Sequence, residues 1–421
     1  MTQMKKIHYA FDQFLNSTQK YLNLRTYYNW MKEKTSALRS EYIIDGIPQR
    51  FTPADILDGC LDREREEEAS YEEYEPIVDE SKDPSPAADQ FKSQDAQEYL
   101  DSVSSLLGSP RNCPTTFPAE FTKSRIAKAL LDTIWMKGHF RMGDLTLLGK
   151  WRWNPKPLGN MAAFYSSVEA AADYLDSLGI CLSSYSFTES DRVSQISFKV
   201  AATEKAEDPD EEIGPEDEEI DLPGDAPFGS LHPVIGRRRA VPDKLVPDPE
   251  SWLIFVPFDS CEFRLGDSLL CEALGQNGDP APEIGDGDYF IDCFEIIREF
   301  VEDKVVLSGR TVSDGGLLPA LKAMCGEGTG AKIDVSGIMN AYDEDKSVRV
   351  LFSEVPGALI QIKDIDYDYA DAEFLLQDIA YYPIGHPVPG GGSIKVKSGR
   401  GGGISDILQA LLSSQASEGE D

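Results

Sequence analysis

The chain has 421 residues, 41% of them apolar, and carries 74 acidic against 40 basic side chains, a formal charge of −34 at pH 7. That balance argues against a nucleic-acid backbone as main partner and points to contacts with basic proteins, while the length allows two or three domains. No apolar run is long enough to span a bilayer. The opening MTQMKKIHYAFDQFLN has no unbroken apolar core or small-residue cleavage site for a secretory signal, and no Arg/Ser-rich transit character. An intracellular setting, cytoplasm or nucleus, is expected.

Cys60, Cys113, Cys181, Cys261, Cys271, Cys293 and Cys325 show no metal-ligand spacing, and His8, His139, His232 and His386 lie far apart. Reduced thiols that serve mostly as small core residues are expected, with no zinc site.

Residues 4–40 place Ile7, Phe11, Phe14, Leu15, Tyr21, Leu22, Tyr28 and Trp30 at mixed three- and four-residue spacing, which predicts helix. It reads either as a helical pair on its own domain or as an arm that docks on a partner. Two acidic runs follow, LDREREEEASYEEYEPIVDESKDP at 61–84 and EKAEDPDEEIGPEDEEIDLPGD at 204–225. Low hydrophobicity and high charge predict a linker for the first and an exposed, disordered insertion for the second. Between them a short helix is predicted over Ser93–Leu107 with Ser93 as N-cap. A folded unit starts near Arg111, with a helix at 121–137, a strand at 143–148, a Trp/Pro-rich loop at 149–160, and an amphipathic helix Met161–Leu178 closed by Gly179. Strands at 180–187 and 193–201 complete it.

WLIFVP at 252–257 is a continuous apolar run, as in a strand buried on both faces. Helices near 267–275 and at 289–303 lead to a strand at 304–307. Ser308–Leu318, SGRTVSDGGLL, then opens onto the helical pattern Leu317–Met324. Backbone N–H groups in such a strand–turn–helix can meet a phosphate; a tight turn that needs glycine is the plainer reading. Strands are predicted at 331–335, 348–353, 358–363 and 379–384, with a helix from Ala370. The tail reads as one strand, a glycine hinge and an amphipathic helix from Ser405; its GRGGG is taken as flexible linker.

Several co-linear pieces resemble phosphoribosylformylglycinamidine synthase, over about residues 115–415 and in its C-terminal, aminoimidazole-ribonucleotide-synthetase-like half. They are GKWRW…KPLG…AA at 149–163, DSLGI at 176–180, FGSL at 228–231, FRLGDSLL…ALGQNGDPAPEI at 263–284, LSGRTVSDGGLLPALKAM at 307–324, VRVLFSEVPGALIQI at 348–362 and IGHPV at 384–388. The resemblance implies an α/β (α+β) module with N-terminal-type and C-terminal-type subdomains behind a helical extension. The expected organisation is 1–110 for that extension, 111–249 and 250–398 for the subdomains, and 399–421 for a helix and tail. Such modules pair through their sheets, so a homo-oligomer or a protein partner is expected to cover the sheet.

The family's activity, ATP-dependent amidine formation, needs metal-binding carboxylates and phosphate contacts. Ser313, Asp314, Gly315 and Gly316 keep its turn, and Glu354 matches a family acid. The His-Asp pair ahead of the turn is replaced by Arg310 and Thr311. An acidic loop is replaced at Asn160 and Met161, and a Gly-Lys-Asp-Ser loop by a stretch including Tyr185, Ser186 and Phe187. No residue is assigned a catalytic role and no cofactor is expected. Vestigial ATP or ADP with Mg²⁺ on Ser313–Gly316, Arg310 and Glu354 is the minor reading. A degenerate module that acts through protein contacts is favoured. Herpesvirus tegument proteins resemble the same synthase, so a viral or large-assembly component is plausible, with the virion as a further location. The alternatives are one subunit of a split synthase and a standalone nucleotide sensor.

Overall fold

The structure is a computed structural model that describes residues 36–44, 46–61, 96–138, 140–202, 238–275 and 279–397. Most of the predicted helix at 4–40, the two acidic runs apart from Leu61, the Ser93 cap, FGSL and the helix from Ser405 lie outside those residues. Ala37–Arg39, at the end of the first of these, is a single 3-10 turn.

A short hairpin, β1 (Ile43–Ile44) and β2 (Ile47–Pro48), leads into helix α1 (Pro53–Gly59). Thr52 accepts from the Asp55 N–H while the Asp55 carboxylate accepts from the Thr52 N–H, a reciprocal cap that fixes the start of α1. Helix α2 (Ala96–Ser104) corresponds to the short helix expected there. Helix α3 (Pro118–Ile134) carries proline in its first turn and buries Ile126, Leu130 and Ile134 along one stripe.

Strands β3 (Leu145–Trp153), β4 (Cys181–Glu189) and β5 (Gln195–Ala202) form a three-stranded sheet in the order β4-β3-β5. Helix α4 (Asn160–Ser177) connects β3 to its parallel neighbour β4, and Gly179, at φ 62°, ends it. The loop expected at 149–160 is corrected over its first five residues. β3 runs on through Trp153 because Leu147, Trp151 and Trp153 continue the alternation and are buried, with Lys150 and Arg152 on the other face.

The second sheet has six strands in the order β11-β8-β10-β6-β9-β7. They are β6 (Trp252–Pro257), β7 (Val306–Val312), β8 (Thr329–Asp334), β9 (Gly357–Ile362), β10 (Tyr382–Pro389) and β11 (Ile394–Lys397). Its helices are α5 (Leu269–Leu274), α6 (Gly287–Glu302), α7 (Leu317–Met324), α8 (Ser336–Ala341), α9 (Ser347–Phe352) and α10 (Tyr367–Leu376). The strand expected at 348–353 is a helix instead. Five of the six residues of α9 are buried, and the helix packs on α7; so short and largely apolar a run does not distinguish helix from strand by its period. The expected strand at 304–307 extends to Val312, so Arg310 and Thr311 are strand residues paired to β9.

The central strands are buried on both faces, as the run WLIFVP requires. Ile254, Val256, Ala358 and Ile360 join the apolar cluster that continues under the three-stranded sheet with α3, α4 and α6. Leu253, Phe255 and Leu359 point the other way, into a second cluster with α2, α5, α7 and α9. No helix among the described residues is long and apolar enough to cross a membrane.

Candidate functional site

The Ser313–Gly316 turn sits between β7 and α7. Gly315 and Gly316 have φ of 82° and 84°, conformations that exclude ordinary side chains. A Cβ on Gly316 would lie 2.6 Å from the Ser353 carbonyl oxygen, so the turn packs by backbone against the end of α9. That contact places Glu354 beside the turn. One Glu354 oxygen, Oε1, accepts from the Gly315 N–H and the Leu269 N–H, each at 2.8 Å. The Gly316 N–H donates to the Ser313 carbonyl at 2.8 Å.

Asp314 faces three cations. Arg125 grips it with both terminal nitrogens, Nη1 lying 3.2 Å from Oδ2. Lys128 Nζ lies 2.6 Å from Oδ2, and Arg111 Nη1 lies 3.3 Å from Oδ1. Burial opposes ionisation of Asp314, but the charges and hydrogen bonds of Arg125 and Lys128 outweigh it and hold the carboxyl well below the usual range. Arg111 also reaches Glu354 Oε2 at 2.5 Å and donates to the Asp267 carbonyl. Burial lowers the basicity of Arg111, and Glu354, Asp267 and Asp314 more than restore it. Arg111 and Arg125 both lie over the Phe121 ring, at 5.5 and 4.7 Å from its centroid. Asp267 adopts a left-handed φ of 59°. Burial raises its pKa to about 7, against the pull of Arg111, with Glu354 adding to the rise.

This cluster opens onto a cleft of about 910 Å³. Arg111, Arg125 and Lys128 line it together with Lys150 and Arg152 of β3, and Asp132, Arg239 and Arg310 belong to the same lining. In a chain with a large acid excess this concavity is cationic.

The structure thus brings Asp314, Gly315 and Glu354 into one hydrogen-bonded group, and sets Ser313, Arg310 and Thr311 on the same cleft. Arg310 pairs with Asp243 at 3.6 Å. Thr311 accepts from the Trp135 indole at 2.9 Å and donates to Asp132 at 2.7 Å. Asn160, Met161, Tyr185, Ser186 and Phe187 do not line it. The Asn160 side chain donates to the Asn154 carbonyl at 3.0 Å at the start of α4, next to the half-buried Met161. Tyr185, Ser186 and Phe187 are strand residues of β4. The Tyr185 hydroxyl donates to Asp58 at 2.5 Å, and the Phe187 ring packs at a tilt against Phe164, with centroids 4.9 Å apart. Sequence reasoning missed Arg111, Arg125, Lys128 and Asp267. The one signal available was that Arg125 and Lys128, three apart, share a side of a helix whose other stripe is apolar. Among the described residues no group of three or more His, Cys, Asp and Glu could hold a metal ion.

No family model matches the chain. Among curated proteins it is similar to the phosphoribosylformylglycinamidine synthase of Homo sapiens, 25% identical over 226 residues, which is 53% of this chain and 15% of that protein. It is also similar to the synthase of Drosophila melanogaster, 25% identical over 281 residues, 64% of this chain and 19% of that one. The chain therefore matches less than a fifth of the length of these relatives. Solved structures that resemble it include T. maritima PurL complexed with FGAR, with a TM-score of 0.49 and 12% identity over 69% of this chain and 42% of that one. PurLQS from Thermotoga maritima gives a TM-score of 0.44 and 12% identity over 67% and 39%. The resemblance read from the motifs holds: the chain is similar to part of this synthase, in a mixed α/β fold.

Proposed function

We propose that this chain is a synthase-like module that works through protein contacts and not through ATP-dependent amidine formation. The observation that carries the reading is the state of the retained turn. Glu354 occupies the Gly315 N–H that a phosphate would need, and Arg111, Arg125 and Lys128 occupy the Asp314 and Glu354 carboxylates that a metal would need. Mg²⁺ does not fit this donor set, because it would have to displace buried cations from each carboxylate while bringing its own charge among them. The replacements at Asn160, Tyr185 and Thr311 are each absorbed into local hydrogen bonds, as expected of a scaffold. The open three-stranded sheet, with edges β4 and β5, is the surface on which a second copy or a partner in a large assembly would add.

The test is titration calorimetry with ATP and Mg²⁺, followed by an assay for phosphate release with ammonia and an amide substrate. No binding tighter than about 1 mM and no turnover are expected. Sub-millimolar affinity with turnover overturns the proposal. A second reading, one subunit of a split synthase, draws on the match to a portion of much longer enzymes. It requires a separate polypeptide that restores turnover when the two are mixed.

A further inference from the structure

Helix α10 has two apolar sides. Ala370 and Phe374 face the core, both fully buried. On the outer side Tyr369, Ala372 and Leu376 recur at three- and four-residue spacing, with Ile365 one turn ahead. Ile365 and Leu376 are 84% and 79% exposed, and Leu375 beside them is 67% exposed. Isolated exposed leucines need no explanation, but a stripe at this spacing is the seam that one helix offers another. Its rim is acidic throughout. Residues 364–378 hold Asp364, Asp366, Asp368, Asp371, Glu373 and Asp378 and no basic residue. Two copies of α10 facing each other would set these carboxylates together, so the stripe is unsuited to pairing with itself.

We propose that the α10 stripe is the docking site for the chain's own N-terminal segment, acting within the same molecule. Residues 1–35 carry Lys5, Lys6, Lys20, Arg25, Lys32 and Lys34 against only Asp12 and Glu33, so this segment is basic in a strongly acidic protein. Ile7, Phe11 and Phe14 repeat the four-then-three spacing of Ile365, Tyr369 and Ala372. Residues 17–35 extend to as much as about 60 Å, enough to cross a folded unit of this size from Ser36. Apolar stripe meets apolar stripe, and the lysines meet the acidic rim.

The full-length protein tests this by zero-length carbodiimide crosslinking and mass spectrometry, on a mixture of unlabelled and ¹⁵N-labelled chains. Amide links from Lys5, Lys6 or Lys20 to Asp368 or Glu373 are expected within chains of one label. The double variant Ile365→Asp/Leu376→Asp changes only exposed side chains, and it should lower the yield of these links at least about tenfold. Its far-ultraviolet circular dichroism should stay unchanged. Links between light and heavy chains would place the segment on a second copy and overturn docking within one molecule. Absence of the links while other lysines of the chain do crosslink, or yields that the double variant leaves unaltered, would overturn the dock itself. ATP binding is not part of this readout, so the result stands apart from the scaffold reading.

Discussion

Arg111 and Glu354 lie 243 positions apart, and the Arg111 guanidinium meets the Glu354 carboxylate at 2.5 Å with their side chains only 7% and 9% exposed. Through this pair the segment leading into α3 is fastened to the turn between β7 and α7. Removing one member of a buried pair leaves the other charged and unmatched. Arg111→Met should therefore cost about 3–5 kcal/mol, measured by denaturant unfolding. Adding Glu354→Gln to it should recover part of the loss, because the glutamine oxygen still accepts from the Gly315 and Leu269 N–H groups. A single-variant loss below about 1 kcal/mol would show that the pair is not buried in solution.

Asp267 gives the site a pH dependence of unusual sign. Its folded pKa is raised to about 7, above an unfolded value of about 3.9. Between those values the folded state holds a proton that the unfolded state has released, so stability falls as pH rises through this window and is then level. Asp267→Asn removes the ionisation and suits the left-handed backbone there. The variant should match the parent near pH 4 and exceed it by on the order of 2 kcal/mol at pH 8. Unfolding curves at the two pH values decide the matter. Asp314 contributes in the opposite sense: its depressed pKa adds stability that is present above the ordinary carboxylate range and is lost as pH falls below it.

The glycine turn is expected to matter for folding. Gly316 combines φ 84° with ψ −163°, a region open to glycine alone, and has backbone atoms of Phe352 and Ser353 where a Cβ would go. Gly316→Ala should cost at least about 2 kcal/mol. Gly326, with no atom within 4 Å of its Cβ position and no positive φ, serves as control: Gly326→Ala should change stability little.

The sequence disclosed elements wherever the pattern left few alternatives, and lost them where a run was short or the contacts were remote. Trp252–Pro257 and the helix closed by Gly179 were legible because an apolar run, or an apolar stripe with a glycine stop, has few other solutions. Val348–Phe352 was not, since it belongs to a helix of only six residues, too short for its period to be told from that of a strand. At the site, Ser313–Gly316 and Glu354 were legible as motif positions. Arg111, Arg125 and Lys128 were not, because what defines them is Asp314, between 186 and 203 positions away. The six acids at 364–378 were not read as a rim in the sequence, and only the burial of Ala370 and Phe374 shows that the other apolar residues of α10 face outward.

Thr311 offers the sharpest separation of a structural from a ligand-binding role on the cleft wall. Its hydroxyl takes the indole N–H of Trp135, a side chain 1% exposed, and passes its own proton to Asp132. Thr311→Val keeps the shape but leaves the buried indole without an acceptor, which should cost about 1–3 kcal/mol. Thr311→Ser retains the hydroxyl and should restore most of that loss. Unfolding followed by tryptophan fluorescence reads both. If valine proves as stable as threonine while serine weakens the protein, then the methyl group and not the hydroxyl matters. The hydrogen-bond relay from Trp135 through Thr311 to Asp132 would then not be what keeps this wall of the cleft in place.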